Sequence, residues 1–223
     1  MLMTASAVEG ALDTTSRAEF AYGMLLDAIR EQKIAPGERV REQEISRMLG
    51  ISRTPVRQAM HRLQTRGLLV QAPGRGLIVA ELGRQQVVEL YAMRELLEGA
   101  AARLAAQHAG PGDIIAMRRV LDEFRRMAPE PRQLARINRR FHASIHEAAH
   151  NRYLSQSLDD FSDTLALLRG TTFSIRGRWK NELAENVELV DAIERRDCDA
   201  AERVARQNMR TALEVRLRML FGM

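Results

Sequence analysis

The chain contains a single cysteine, Cys198, so it can form no internal disulfide and no multi-cysteine zinc site. A reducing compartment is the matching expectation. Aromatic residues are scarce, 4% of 223. No apolar run is longer than a few residues, which excludes a membrane-spanning helix. The opening stretch Met1 to Leu12 holds Glu9 and lacks both a basic region and an apolar core. It is therefore not expected to be a signal peptide, and the cytoplasm is the expected location. What remains is a composition of 45% apolar and 28% charged residues, dominated by Ala, Leu, Arg and Glu. That mixture excludes collagen and wholesale disorder and favours helix. At roughly 100–150 residues per domain, the length suits two domains.

The formal charge of +5 is modest, but it is concentrated. Residues 39 to 75 hold eight arginines against two acids, Glu42 and Glu44, so this sixth of the chain carries more than the entire surplus. A local excess of that kind points to a polyanionic partner.

Along the chain, apolar spacing predicts a helix from Thr14 or Thr15 to about Gln32, with Phe20, Met24, Leu25 and Ile29 on its inner face. Ala35-Pro36-Gly37 forces a turn, and Glu38 to Val40 reads as a brief extended piece. A second helix spans Glu42 to Leu49 and is stopped by Gly50. Ser52 caps a third, in which Pro55 falls in the first turn and Val56, Ala59, Met60 and Leu63 face inward. Two short apolar runs around Pro73-Gly74-Arg75-Gly76 then read as a β-hairpin. Three helices and a hairpin in this order make a winged helix-turn-helix.

From Gln85 onward, helical stripes recur almost without interruption, broken near Pro111, near Pro129 and Pro131, and over Gly170 to Gly177. The expected organisation is a disordered tail over 1–13, a DNA-binding domain over 14–80, a linker over 81–84 and an antiparallel all-α bundle of about six helices over 85–223. The fold class is thus mainly α. Cys198 is expected to sit, inert, in a charged loop.

The basic segment carries specific chemistry. The N-terminal end of the second helix of a helix-turn-helix enters the major groove of double-stranded DNA. Its unpaired backbone N–H groups and positive dipole end suit a phosphate. Ser52 and Thr54 can add hydroxyl donors there. Arg53 and Arg57, four apart, can each pair bidentately with guanine. Arg75, between Gly74 and Gly76 at the hairpin tip, can approach a neighbouring groove or the backbone.

The run Ile51-Ser-Arg-Thr-Pro-Val-Arg-Gln-Ala-Met60, preceded by Glu44-Ile-Ser-Arg-Met-Leu-Gly50 and followed by Gly67-Leu-Leu69, resembles the signature of GntR-family bacterial transcription regulators. The helical remainder resembles the family's FCD-type effector domain, through Tyr91-Ala-Met-Arg-Glu-Leu-Leu-Glu98 and through Phe141-His142, nine residues before Asn151. The resemblance covers residues 15 to about 220. It implies DNA contacts for Ser52, Arg53, Thr54, Arg57 and the wing glycines, with Arg41 a further candidate. Gln43 stands where some relatives carry arginine.

Many FCD domains hold a divalent metal through one aspartate and three histidines. The matching positions here are Asn138, His142, Asn186 and Asn208, so one ligand of the four survives. Neutral amide oxygens are poor replacements, and no metal or other cofactor is expected. The set is expected instead to line a pocket for a small organic effector, with His146 at its border. His-x3-His at 142 and 146 can bind zinc, but no carboxylate or cysteine obviously completes that site. Arg94 can clamp an effector carboxylate, or can pair with Glu98 at i+4.

Three functions compete. The first is a homodimeric, operator-binding transcription regulator, a repressor controlled by a small effector, a carboxylate by preference. The second is an enzyme housed in the bundle, which would need a nucleophile or acid/base pair beyond His142. The third is an architectural DNA binder whose helical domain only dimerises. The polar set in the bundle favours the first.

Overall fold

The computed structural model describes residues 14–127 and 130–222. The expected tail over 1–13 and Pro129 lie outside the described residues. Among the described residues the chain forms α1 (Thr14–Arg30), α2 (Glu42–Leu49), α3 (Arg53–Thr65), β1 (Leu69–Ala72), β2 (Gly76–Val79), α4 (Arg84–His108), α5 (Pro111–Arg126), α6 (Pro131–Ala148), α7 (Arg152–Leu165), α8 (Arg178–Glu194) and α9 (Cys198–Phe221). A 3₁₀ turn, Thr172–Ser174, occupies the break between α7 and α8.

The chain divides into two compact units. One comprises residues up to Leu82 together with Asp163–Arg169, and the other comprises Gly83–Ser162 and Gly170–Met223. In the first unit α1 packs on α3, and Ala21, Leu25 and Ile29 meet Val56, Ala59, Met60 and Leu63, all nearly or fully buried. Met24, expected on the inner face of α1, is 38% exposed, and Leu26 is buried in its place. The small side chains of Ala18 and Ala21 define the buried stripe and turn it about one residue away from Met24.

Gly50 ends α2 in a left-handed conformation at φ +66°, a backbone state that favours glycine, and its N–H returns to the Ser46 carbonyl. The hairpin pairs Leu69 with Val79 and Ala72 with Gly76 in antiparallel register. Its tip turns at Gly74 with φ +71°. Glu38 to Val40 add a third edge: Gly37 donates to Val79 and Val40 donates to Leu77, each at 2.9 Å. Asp163–Arg169 completes this unit, with Ala166 and Leu167 in its core. Helical periodicity alone assigned that stretch to the bundle.

The second unit is built on α4 packed along α9, with α5, α6 and α8 closing a core around Phe124, Phe141, Met117 and Leu121. Pro131 opens α6, and the Glu130 carboxylate accepts from the backbone N–H groups of Arg132 and Gln133. Cys198 is the first residue of α9 rather than part of a loop. Asp197 caps that helix by accepting from Ala200 N–H, so the helix starts one residue after the cap.

Candidate functional site

Two sets of residues were singled out by the sequence, and each lies within one unit. In the first unit Ser52, Arg53, Thr54 and Arg57 are all exposed at the start of α3. Ser52 occupies the N-cap position in an extended conformation, but its side chain makes no capping hydrogen bond. The first N–H groups of the helix are therefore left without a side-chain cap.

Arg57 does not stand alone. Its Nε and Nη2 donate to the two carboxylate oxygens of Glu42 on α2, at 2.9 and 3.0 Å. That bond holds the Glu42 carboxyl below its usual range and raises Arg57. Arg41 pairs with Glu44 at 2.5 Å on the same face. At the wing, Gly74 and Arg75 are exposed and Gly76 is half-buried, and Arg75 Nη2 donates to the Gly37 carbonyl at 2.8 Å.

Behind this face Asp163 is buried at 4% exposure. Its carboxylate accepts from Arg30, and from Arg66 at 2.9 Å. Arg66 also donates to the Tyr22 hydroxyl. This network ties α1 and the end of α3 to Asp163–Arg169.

In the second unit the expected pocket residues fall into two neighbouring groups. Arg94 Nη2 donates to Glu98 Oε1 at 2.7 Å, so the ion-pair alternative for Arg94 is the one observed. The other Glu98 oxygen lies 2.9 Å from His146 Nε2 and 3.3 Å from His142 Nδ1. Burial opposes the charge on Glu98, but the two imidazoles outweigh it and hold its carboxyl well below the usual carboxylate range. Glu98, His142 and His146 offer three ligand atoms within 4.8 Å of one another, the described residues' one grouping of metal-ligand type.

One turn before His142, half-buried Asn138 accepts from Asn186 Nδ2 at 2.9 Å. Asn208 Nδ2 donates to Glu185 at 2.6 Å and to Glu182 at 3.3 Å. The Glu182 carboxylate contacts Arg178 Nη2, with Glu185 at 3.6 Å from the same nitrogen. Burial raises the Glu185 carboxyl above its usual range, against the pull of Arg178 and with the push of Glu182.

Several atoms of this interior have no hydrogen-bond partner: Arg178 Nε and Nη1, Asn186 Oδ1 and Asn208 Oδ1. Their residues are 5%, 1% and 3% exposed. Buried polar atoms are paired in the great majority of cases, so three such side chains in one cluster are unusual.

The sequence reading missed Glu98 as a partner of both histidines, and it missed Arg178, Glu182 and Glu185 altogether. A signal was present: 178, 182 and 186 stand at i, i+4 and i+8, on one face of α8.

Two family models match the chain: the bacterial regulatory proteins of the gntR family over residues 17–79, and the FCD domain over residues 89–211. The chain belongs to the GntR family, in its FCD-bearing form. The HTH-type transcriptional repressor RspR of Escherichia coli is 28% identical over 86% of both chains. A probable D-xylose utilization operon transcriptional repressor of Paenarthrobacter nicotinovorans is 30% identical over 86% of this chain and 84% of its own. The solved structure of E. coli McbR/YncC shares the fold, with a TM-score of 0.82 and 21% identity over 92% of this chain and 98% of that one.

The protein is accordingly a DNA-binding transcription regulator with a winged helix-turn-helix and a helical FCD domain, and not an enzyme. Among the described residues no helix is long and apolar enough to cross a membrane.

Proposed function

We propose that this GntR-family regulator is a repressor whose grip on operator DNA is released when a small organic acid enters the helical unit. The observation that carries the reading is the set of buried atoms left without partners on Arg178, Asn186 and Asn208. Leaving a buried donor or acceptor unsatisfied costs about 1–3 kcal/mol per group, so a ligand that satisfies several of them gains affinity without having to break existing bonds. The guanidinium of Arg178 suits a carboxylate, and the amide oxygens suit hydroxyl or N–H donors. Arg94, already paired with Glu98, orients the histidine side of the pocket, formed by Asn138, His142 and His146. Repression is the role named for RspR and for the P. nicotinovorans relative.

The same reading makes the protein a cytoplasmic homodimer on a two-fold-symmetric operator. Ala92, Met93 and Leu96 form an exposed apolar strip on α4, with Met93 44% and Leu96 48% exposed. Burying that strip against a second copy removes it from water and doubles the DNA contacts. Asn138, Asn186 and Asn208 hold no transition metal in this reading.

The test is a thermal-shift screen of small mono- and dicarboxylates followed by gel-shift titration on the regulator's own promoter. A compound that raises Tm and weakens DNA binding is the expected result. A screen in which no carboxylate moves Tm would overturn the effector reading and favour an architectural role.

A further inference from the structure

We infer that Glu42 is a specificity-determining residue of the DNA-binding face: it presents Arg57 to a guanine in a fixed orientation. The inference rests on α3 being the recognition helix.

The geometry is particular. Glu42 is the first residue of α2 and Arg57 lies in the second turn of α3, so their pair bridges the two helices of the motif. Both carboxylate oxygens are used, and they take the Nε and Nη2 side of the guanidinium. A guanidinium has five N–H donors in a planar fork. Two are spent on Glu42. The three that remain include the pair at the outer end, one on Nη1 and one on Nη2, which are the donors that match O6 and N7 of guanine. Glu42 thus occupies the edge of Arg57 that DNA does not need and leaves open the edge that it does.

Fold stability does not account for the pair. Arg57 is 69% exposed and Glu42 32%, and exposed ion pairs contribute little to folding. Binding does account for it. An untethered arginine loses rotamer freedom on docking, and when the base is wrong it can swing to a phosphate and recover a bond. A tethered arginine loses less freedom on docking and must break its pair with Glu42 to make that escape, so a wrong base costs it more.

The carboxylate itself adds discrimination. A bare Glu42 facing the phosphate backbone is repelled, and pairing with Arg57 cancels that charge. Arg53 offers the contrast within one helix. Its side chain makes no hydrogen bond or ion pair among the described residues, and it stands at the exposed start of α3, where a phosphate contact needs no fixed orientation.

The experiment is binding-site selection from a random duplex library with the full-length protein and with Glu42→Ala, Arg57→Ala and Arg53→Ala. Affinities are then measured on the wild-type site and on the same site with single-base changes. The wild type is expected to enrich a guanine at a position where both Glu42→Ala and Arg57→Ala lose preference, with discrimination falling about tenfold or more for Arg57→Ala and about two- to fivefold for Glu42→Ala. Arg53→Ala should weaken all sequences alike. The double variant Glu42→Ala/Arg57→Ala should bind the wild-type site more tightly than Arg57→Ala, because the unpaired carboxylate is gone. Glu42→Gln, which keeps the side-chain volume, replaces Glu42→Ala if the latter loses its helical circular dichroism.

If Glu42→Ala keeps the guanine preference that Arg57→Ala loses, the positioning role is overturned while the DNA-binding assignment stands. If the wild type enriches no sequence, the assignment of α3 as reader falls, and the role of Glu42 falls with it.

Discussion

Asn186 donates its amide N–H to Asn138 Oδ1 across 2.9 Å, yet its own carbonyl oxygen, buried with the rest of the side chain, has no partner. The two asparagines satisfy each other only in part. The nearby Glu98 carboxylate is by contrast fully engaged. One Glu98 oxygen is taken by Arg94 and the other is shared by both imidazoles.

A metal ion at the asparagines would have to accept neutral amides, and one at Glu98 would have to displace the bonds that Arg94 and both imidazoles already make to the carboxylate. Purified protein is therefore expected to carry no stoichiometric zinc, nickel or manganese by mass spectrometry, and chelators should leave Tm unchanged. Asn138→Asp, Asn186→His and Asn208→His together should create metal affinity. Stoichiometric metal in the unaltered protein that is lost on His142→Ala would show this account of the interior to be wrong.

Arg178 gives a second prediction. Replacing it by alanine strands the Glu182 carboxylate in the interior, and breaking a buried pair in this way costs about 3–5 kcal/mol. Arg178→Lys keeps the charge but loses the planar fork of donors. That variant should fold, with a lower Tm, and should lose most of the stabilisation by carboxylates expected of the parent. Calorimetric titration of both proteins with the best ligand of the screen measures the difference. Equal affinities would move the carboxylate site away from Arg178.

How legible this interior was depends on the kind of signal. The motif around α2 and α3 is local: Gly50 at φ +66°, the cap position of Ser52 and the inner face from Val56 to Leu63 all follow from spacing within a few residues. The partner of Arg57 was present in the sequence as one of two acids in a basic segment, but only packing of α2 on α3 brings Glu42 to it. Arg178 was invisible for a different reason. Arginine is seldom buried, so a charged residue at a helix start reads as surface. Met24 was misplaced because the spacing was drawn through the large apolar side chains, whereas the buried stripe of α1 runs through Ala18 and Ala21.

Buried Glu98 and half-buried Glu185 should respond to pH in opposite senses. Glu98 is held below its unfolded value of about 4.3 by His142 and His146, so its contribution to stability is complete above that value and is lost as pH falls through the folded one. Glu185 is raised by burial, so its contribution is present below the unfolded value and is lost as pH rises through the folded one. Glu98→Gln should flatten the acid limb of a plot of Tm against pH. Glu185→Gln should raise Tm near neutrality. Parallel curves for the parent and both variants would contradict the assignment.

Asp163 supplies the last prediction, because it lies within the FCD match yet belongs to the first unit. Its carboxylate, 6% exposed as a side chain, accepts from Arg30 on α1 and from Arg66 just after α3. Hydrogen bonds to a charged group are worth about 1.5–3 kcal/mol. Both arginines are partly exposed, at 27% and 40%, so water can take over part of what they lose and the cost should fall at the lower end of that range. Asp163→Ala should therefore speed amide hydrogen exchange in α1 and α3 while leaving the protection of α5 and α6 unchanged. Asp163→Asn, which keeps an acceptor but no charge, should give an intermediate effect. Exchange accelerated equally in all helices would mean that the residue stabilises the chain globally, and unchanged exchange in α1 would remove Asp163 from the packing of the DNA-binding unit.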